Sequence, residues 1–221
     1  MPNRSTFSDL RRVLLTGFDA FDGESINPSW LAVQPLHGRR VAGHVMVAAQ
    51  LPTVFGASLL ELASLLQLHR PALVICVGQA GGRAALSLER VAINVNDARI
   101  ADNAHAQPID TPVVAGGPAA YFSTLPIKAM LQALQREGIP AEVSQTAGTF
   151  VCNHVFYGLM HQLATQAAFK QTRGGFIHVP YLAGQGDPGM ALEDLTKGLD
   201  IATSTALTTH RDAAYGAGAV S

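Results

Sequence analysis

Three short apolar runs each end at a residue that breaks the pattern: Arg12-Val-Leu-Leu-Thr16 before Gly17, Ala72-Leu-Val-Ile-Cys-Val77 before Gly78, and Gly175-Phe-Ile-His-Val179 before Pro180. Runs this short and this uniformly apolar suit strands covered on both faces, as in a parallel sheet flanked by helices. Helical spacing fills the intervals. Val54 to His69 carries Leu59, Leu62, Leu65, Leu66 and Leu68 and stops before Pro71. Thr124 to Glu137 has Pro126 in its first turn and Gly138 just past its end. Asn153 to Lys170 and Met190 to His210 read as two more helices. His44 to Gln50, Leu86 to Val95 and Ala141 to Thr146 read as further strands, with the alternating Leu86 to Val95 partly exposed. Strands and helices interleave from end to end. The pattern predicts an α/β sandwich, a mostly parallel sheet between layers of helices.

With 221 residues, 48% of them hydrophobic, the chain has enough for one full-sized core, or at most two small ones. No repeat, low-complexity tract or composition break divides it, so 1–221 is expected to be a single catalytic domain with frayed ends at 1–11 and 213–221. Only 14% of the residues are charged and the net charge is −1, which gives no electrostatic footprint for nucleic acid or acidic membranes. Arg11-Arg12 and Arg39-Arg40 read as solvated surface. No window reaches the ~18 apolar residues of a membrane span, and the N-terminus lacks a secretory pattern. Cys76 and Cys152 are too few for a disulfide scaffold and form no Cys-x-x-Cys, so a reducing cytoplasm fits best. Residues 101–121, rich in Pro, Gly and Asp, form a long loop of the functional or mobile kind, or hold a hairpin.

Cys152 follows a strand and the turn AGTFV and precedes a helical run, which puts its sulfur in the first turn of a helix. Unpaired amides and the helix dipole there favour a thiolate nucleophile; a buried structural thiol is the alternative. Cys76, flanked by Ile75 and Val77, reads as structural. Histidine is the usual partner base. His178 stands out, at the end of an apolar strand where an imidazole is costly unless partnered. His154 is too near Cys152 in sequence to serve as an easily oriented base, and His154 with His161 misses the i, i+4 spacing of a zinc helix. Glu89 is a carboxylate in a mostly apolar strand and a candidate third member, with Asp97, Asp102 and Asp110 as competitors and an edge-strand pair with Arg90 as the bland reading. The VGQAGGR segment at 77–83 fails both the Walker and G-x-G-x-x-G patterns; it reads as a weak phosphate loop or as a turn aiming Gln79 into a site. Phe18 and Phe21, on a Gly-punctuated loop, are core anchors or walls of a small apolar pocket.

Four blocks in order, TGFDAFDGESINPSW (16–30), VGQAGGRAALSLERVAINVNDARIADNAHAQPID (77–110), SQTAGTFVCNHVFYGLMH (144–161) and IHVPYL (177–182), resemble the pyroglutamyl peptidase I (pyrrolidone carboxyl peptidase) family of cysteine peptidases. The resemblance runs from Val13 to about His210. It implies a single-domain three-layer α/β/α sandwich, a catalytic triad of Cys152, His178 and Glu89, and a lactam pocket walled by Phe18, Phe21, Thr53, Ile100, Phe150 and Val151. Gln79 would meet the lactam's polar edge and Arg99 would lie in the site, beside an oxyanion donor at the Cys152 N–H. The implied activity removes N-terminal pyroglutamate from peptides through an acyl-enzyme, without metal or cofactor, in a homo-dimer or homo-tetramer. Hydrolysis of another small amide or lactam, a nucleoside- or phosphate-binding enzyme using the QAGGR loop, and a non-catalytic pyroglutamate-binding module are the rival readings. Departures from the family pattern fall in loops: Asp19-Ala20-Phe21-Asp22-Gly23 stands for Glu-Pro-Phe-Gly-Gly, Ala183-Gly184-Gln185 for Pro-Glu-Gln, and Ala101 for a proline.

Overall fold

The computed structural model describes residues 11–218. In chain order the elements are β1 (Arg11–Phe18), α1 (Pro28–Val33), β2 (Arg40–Val41), β3 (His44–Leu51), α2 (Ala57–His69), β4 (Leu73–Gln79), β5 (Leu86–Glu89), β6 (Val91–Ile93), β7 (Ala120–Phe122), α3 (Ile127–Arg136), β8 (Ala141–Ser144), α4 (Val151–Thr165), β9 (Arg173–Val179), β10 (Tyr181–Leu182), β11 (Gly189–Met190) and α5 (Leu192–Thr208). The main sheet runs β2-β3-β1-β4-β9-β5-β8. β3, β1, β4 and β9 are parallel neighbours; β5 runs antiparallel to β9 and parallel to β8.

Residue parity divides the core into two layers, because successive side chains of a strand point to opposite faces. Val13, Leu15, Leu73, Ile75, Val77, Ile177 and Val179 meet the face packed by α1, α3 and α5. Leu14, Phe18, Val74, Cys76 and Phe176 meet the face packed by α4 and α2. The expected three-layer α/β/α sandwich with a mostly parallel sheet is therefore the observed fold. No helix among the described residues is long and apolar enough to cross a membrane.

Leu86 to Val95 departs from the expected single, partly exposed strand. β5 is fully buried inside the main sheet, while β6 pairs antiparallel with β7 in a separate ribbon. The chain changes partner at Arg90, whose N–H still bonds the Ser144 carbonyl while its own carbonyl accepts from Ser123 N–H. The 101–121 stretch holds turns and one bridge, Asn96 to Thr111, and supplies the start of β7. The sequence expectations include no helix at α1, which Asn27 caps by accepting from Ser29 N–H and Pro28 opens. Of the termini expected to fray, Arg11 begins β1, and the Tyr215 hydroxyl donates to the Lys128 carbonyl; just before that terminus, Asp212 caps α3 by accepting from the Lys128 and Ala129 amides. Residues 1–10 and 219–221 lie outside the described residues.

Helix α4 is keyed to the loops around it by two buried polar residues in its first turns. Asn153 accepts from Ile93 N–H and donates to the Ile93 and Val95 carbonyls. His154 Nε2 accepts from Gly56 N–H at 3.1 Å, which places its proton on Nδ1, 2.9 Å from Asn96 Oδ1. Burial holds His154 down to about 4 from its ordinary value of 6.5. The unfolded chain takes up this proton below pH 6.5 and the folded chain resists it, so the stability contribution is present above 6.5 and lost as pH falls toward 4. Urea unfolding from about pH 7 to about pH 4.5 is expected to show wild type losing roughly 2–3 kcal/mol more than His154→Gln. Equal losses in the two proteins would contradict this role.

Candidate active site

Gly78, in β4, is where the functional elements meet. It lies in register with His178 of β9. A Cβ built on Gly78 would stand 2.7 Å from Cys152 Sγ and 2.8 Å from the Phe176 ring. The sulfur thus fills the space a side chain would take beside His178. Phe176 and His178, two apart on β9, share this face, with ring centroids 4.8 Å apart. The strand-turn-helix that delivers Cys152 behaves as its sequence implies. β8 ends at Ser144, Gly148 takes φ +74°, and α4 starts at Val151 with no side-chain cap at Phe150. The first amides of α4, including that of Cys152, have no acceptor within the helix.

The reversed strand β5 provides the third group. Ser87 lies opposite His178, so Glu89, two residues on, reaches it diagonally from the same face. Glu89 Oε1 is 2.7 Å from His178 Nδ1, and the carboxylate is shielded completely from solvent. A carboxylate only accepts, so Nδ1 carries the proton and Nε2 is left with its lone pair. Burial lowers the His178 pKa below its ordinary value of 6.5, against the raising effect of the Glu89 hydrogen bond and charge. Cys152, partly open to solvent, is pushed up to about 12, first by burial and then by the Glu89 charge. Desolvation and the Glu89 charge thus work against the Cys152 thiolate that helix position favours, and burial works against an imidazolium at His178. Cys76, fully buried in β4, is likewise raised to about 12 by burial.

These groups open onto a cleft of about 420 Å³ at the C-terminal ends of β1, β4 and β9. Phe18, Phe21, Thr53, Gln79, Arg99, Phe150, Val151, Cys152 and His178 line it. Glu89 stands behind His178. Ile100 is not among the lining residues, although its neighbour Arg99 is. Phe21 and Phe150 pack at 6.1 Å, and Phe55, absent from the sequence reading, braces Phe150 edge-on at 5.4 Å. The altered loop at 19–23 is tied down: Asp19 Oδ1 accepts from Thr53 N–H and Asn103 Nδ2. Asp102, a competitor for the third catalytic place, instead accepts from the amides of Phe55, Ala104 and Ala106. Gln185 Nε2 lies 3.4 Å from Gln79 Oε1, so Gln79, which lines the cleft, is held by a bond that it accepts through its oxygen. Arg83 also lines the cleft and pairs with Glu89; its place in the QAGGR turn was the available signal.

The pyroglutamyl peptidase family model matches residues 11–209. The chain is 63% identical over 208 residues to a pyrrolidone-carboxylate peptidase of Cupriavidus necator, covering 92% of this chain and 96% of that one. Against the same-named protein of Klebsiella pneumoniae it is 56% identical, covering 94% and 98%. The crystal structure of pyroglutamyl peptidase I from Bacillus amyloliquefaciens superposes with a TM-score of 0.91 at 49% identity, over 93% of this chain and 99% of that one. A mutant pyrrolidone carboxyl peptidase from Pyrococcus furiosus gives a TM-score of 0.86 at 40% identity, over 89% and 98%. The chain belongs to the pyroglutamyl peptidase family.

Proposed function

We propose that this protein is a cysteine peptidase that removes pyroglutamate from the N-terminus of peptides, with Cys152 as nucleophile, His178 as base and acid, and Glu89 orienting His178. The observation that carries the reading is Cys152 Sγ seated over Gly78, beside an imidazole whose Nδ1 is fixed by a buried carboxylate. The cleft supports the substrate class. A cyclised N-terminus has no ammonium group, and a neutral five-membered lactam suits walls of Phe18, Phe21, Phe150 and Val151 with polar contacts from Gln79. Burial of that ring orients the scissile carbonyl over the sulfur.

The chemistry starts from a neutral thiol and a neutral imidazole. As Cys152 Sγ bonds to the carbonyl carbon, its proton passes to His178 Nε2, and the imidazolium is stabilised by Glu89. The oxyanion is held by the Cys152 backbone N–H, with Arg99 at the rim. Collapse breaks the C–N bond, and His178 returns the proton to the leaving amine. Water then adds to the thioester, its proton going to His178 and back to sulfur as pyroglutamate leaves. The free thiols and a peptide substrate fit a cytoplasmic enzyme acting without nucleic acid or membrane, and the family resemblance extends the proposal to a homo-dimer or homo-tetramer.

Release of a chromogenic amine from a pyroglutamyl arylamide is expected to fall by roughly three orders of magnitude or more in Cys152→Ala and to change little in Cys76→Ser. Full activity in Cys152→Ala would end the assignment. Because burial lowers His178, kcat/KM is expected to rise through an acid limb with its midpoint below pH 6.5; a midpoint above about 7 would contradict a neutral resting imidazole. Gly78→Ala would press a methyl on the sulfur. It should cost roughly 1–3 kcal/mol of stability in chemical unfolding, with kcat falling more than KM rises; an unaffected kcat would show that the sulfur's seat is not restrictive.

A further inference from the structure

The QAGGR turn does more than present Gln79. It ends at Arg83, whose guanidinium makes two contacts on different parts of the site. One nitrogen lies 2.6 Å from Glu89 Oε1, the same oxygen that holds His178 Nδ1. The other donates to the Thr146 carbonyl at 3.0 Å, in the loop that leads from β8 to Cys152. The Arg83 side chain is about a quarter exposed, at 26%, whereas Glu89 is at 0%.

A carboxylate withdrawn from water takes up a proton or moves toward solvent unless a cation and hydrogen bonds hold it. Glu89 has few such holds. Its Oε2 has no hydrogen-bond partner among the described residues, and burial disfavours a positive charge on His178. Arg83 is the charge that remains. Two donors converging on one oxygen also fix where that oxygen sits, and therefore the direction in which the imidazole's Nδ1–H points.

We propose that Arg83 is a positioning residue for the reaction: it pairs with Glu89, sets Oε1 against His178, and ties this base to the loop that carries the nucleophile. The inference rests on the function proposed above. The Arg83 charge lowers the His178 pKa, so removing it makes it easier for His178 to gain a proton, and the base is silenced at higher pH. Among the described residues, the titratable groups near the dyad besides Arg83 include Cys152, which feels the Glu89 and Arg83 charges and that of Cys76 behind it, and Arg99, which lines the same cleft.

The test is a double-mutant cycle of Arg83→Met and Glu89→Gln, with Arg83→Lys alongside, read as kcat, KM and pH profile on a pyroglutamyl arylamide and accompanied by thermal melts. Arg83→Met is expected to lower kcat by about a hundredfold with KM within roughly threefold, and to move the acid limb to higher pH. Arg83→Lys should recover part of kcat. In the Glu89→Gln background the same Arg83→Met change should cost less than about threefold, because its target is already neutral. Additive losses, an unmoved acid limb, or an effect confined to KM would each overturn the proposal. A folded wild type that releases no amine would instead sink the function reading. The Arg83 claim is then decided by NMR titration of His178, whose protonation midpoint should rise in Arg83→Met; an unchanged midpoint would overturn it.

Discussion

The hydrogen bond between Glu89 and His178 is the constraint around which the rest of the molecule is arranged. A charge with no solvent exposure sits against an imidazole at 3% exposure. Such a pair is stable only where strand register brings the two side chains together on one face and something compensates the lost hydration. The reversed direction of β5 supplies the register. The QAGGR turn supplies the compensating cation.

A second constraint is space. The sulfur, the imidazole and the Phe176 ring crowd around a position where β4 has only hydrogen to offer. The glycine that ends the apolar run in the sequence is thus a strand residue with a seat beside it, rather than a terminator. Asn153 and His154 fix α4 in depth and rotation from either side of this seat, through bonds to Ile93, Val95, Asn96 and Gly56. Cys152 is therefore held by its neighbours in sequence, while its chemistry is set by residues far along the chain.

The layered fold was legible because apolar runs buried on both faces admit few alternatives, and the central strands β1, β4 and β9 fall where Val13, Ile75 and Ile177 predicted. What period and composition did not show was pairing. Glu89 and Val91 look like one alternating strand, yet they belong to different sheets, and that break is decided by partners as distant as Ser144 and Phe122. The site divides in the same way. Cys152 and His178 stand out from their local setting, whereas Glu89 needed the family resemblance. Arg83 does not stand out, because a surface turn and a cleft-lining turn share one spelling. Gln185 and Phe55, which brace Gln79 and Phe150, act only through tertiary contact. For Cys152 the sequence shows only one side of the ionisation: a helix terminus is visible, but desolvation and the Glu89 charge, which raise its pKa, are not.

The central claim is a neutral, oriented imidazole beside a neutral thiol. It is tested most directly by nitrogen NMR of the His178 ring in the resting enzyme near neutral pH. The account predicts a proton on Nδ1 and a bare Nε2. Protons on both nitrogens would reveal a standing imidazolium paired with a Cys152 thiolate and would contradict it, as would a proton on Nε2 alone.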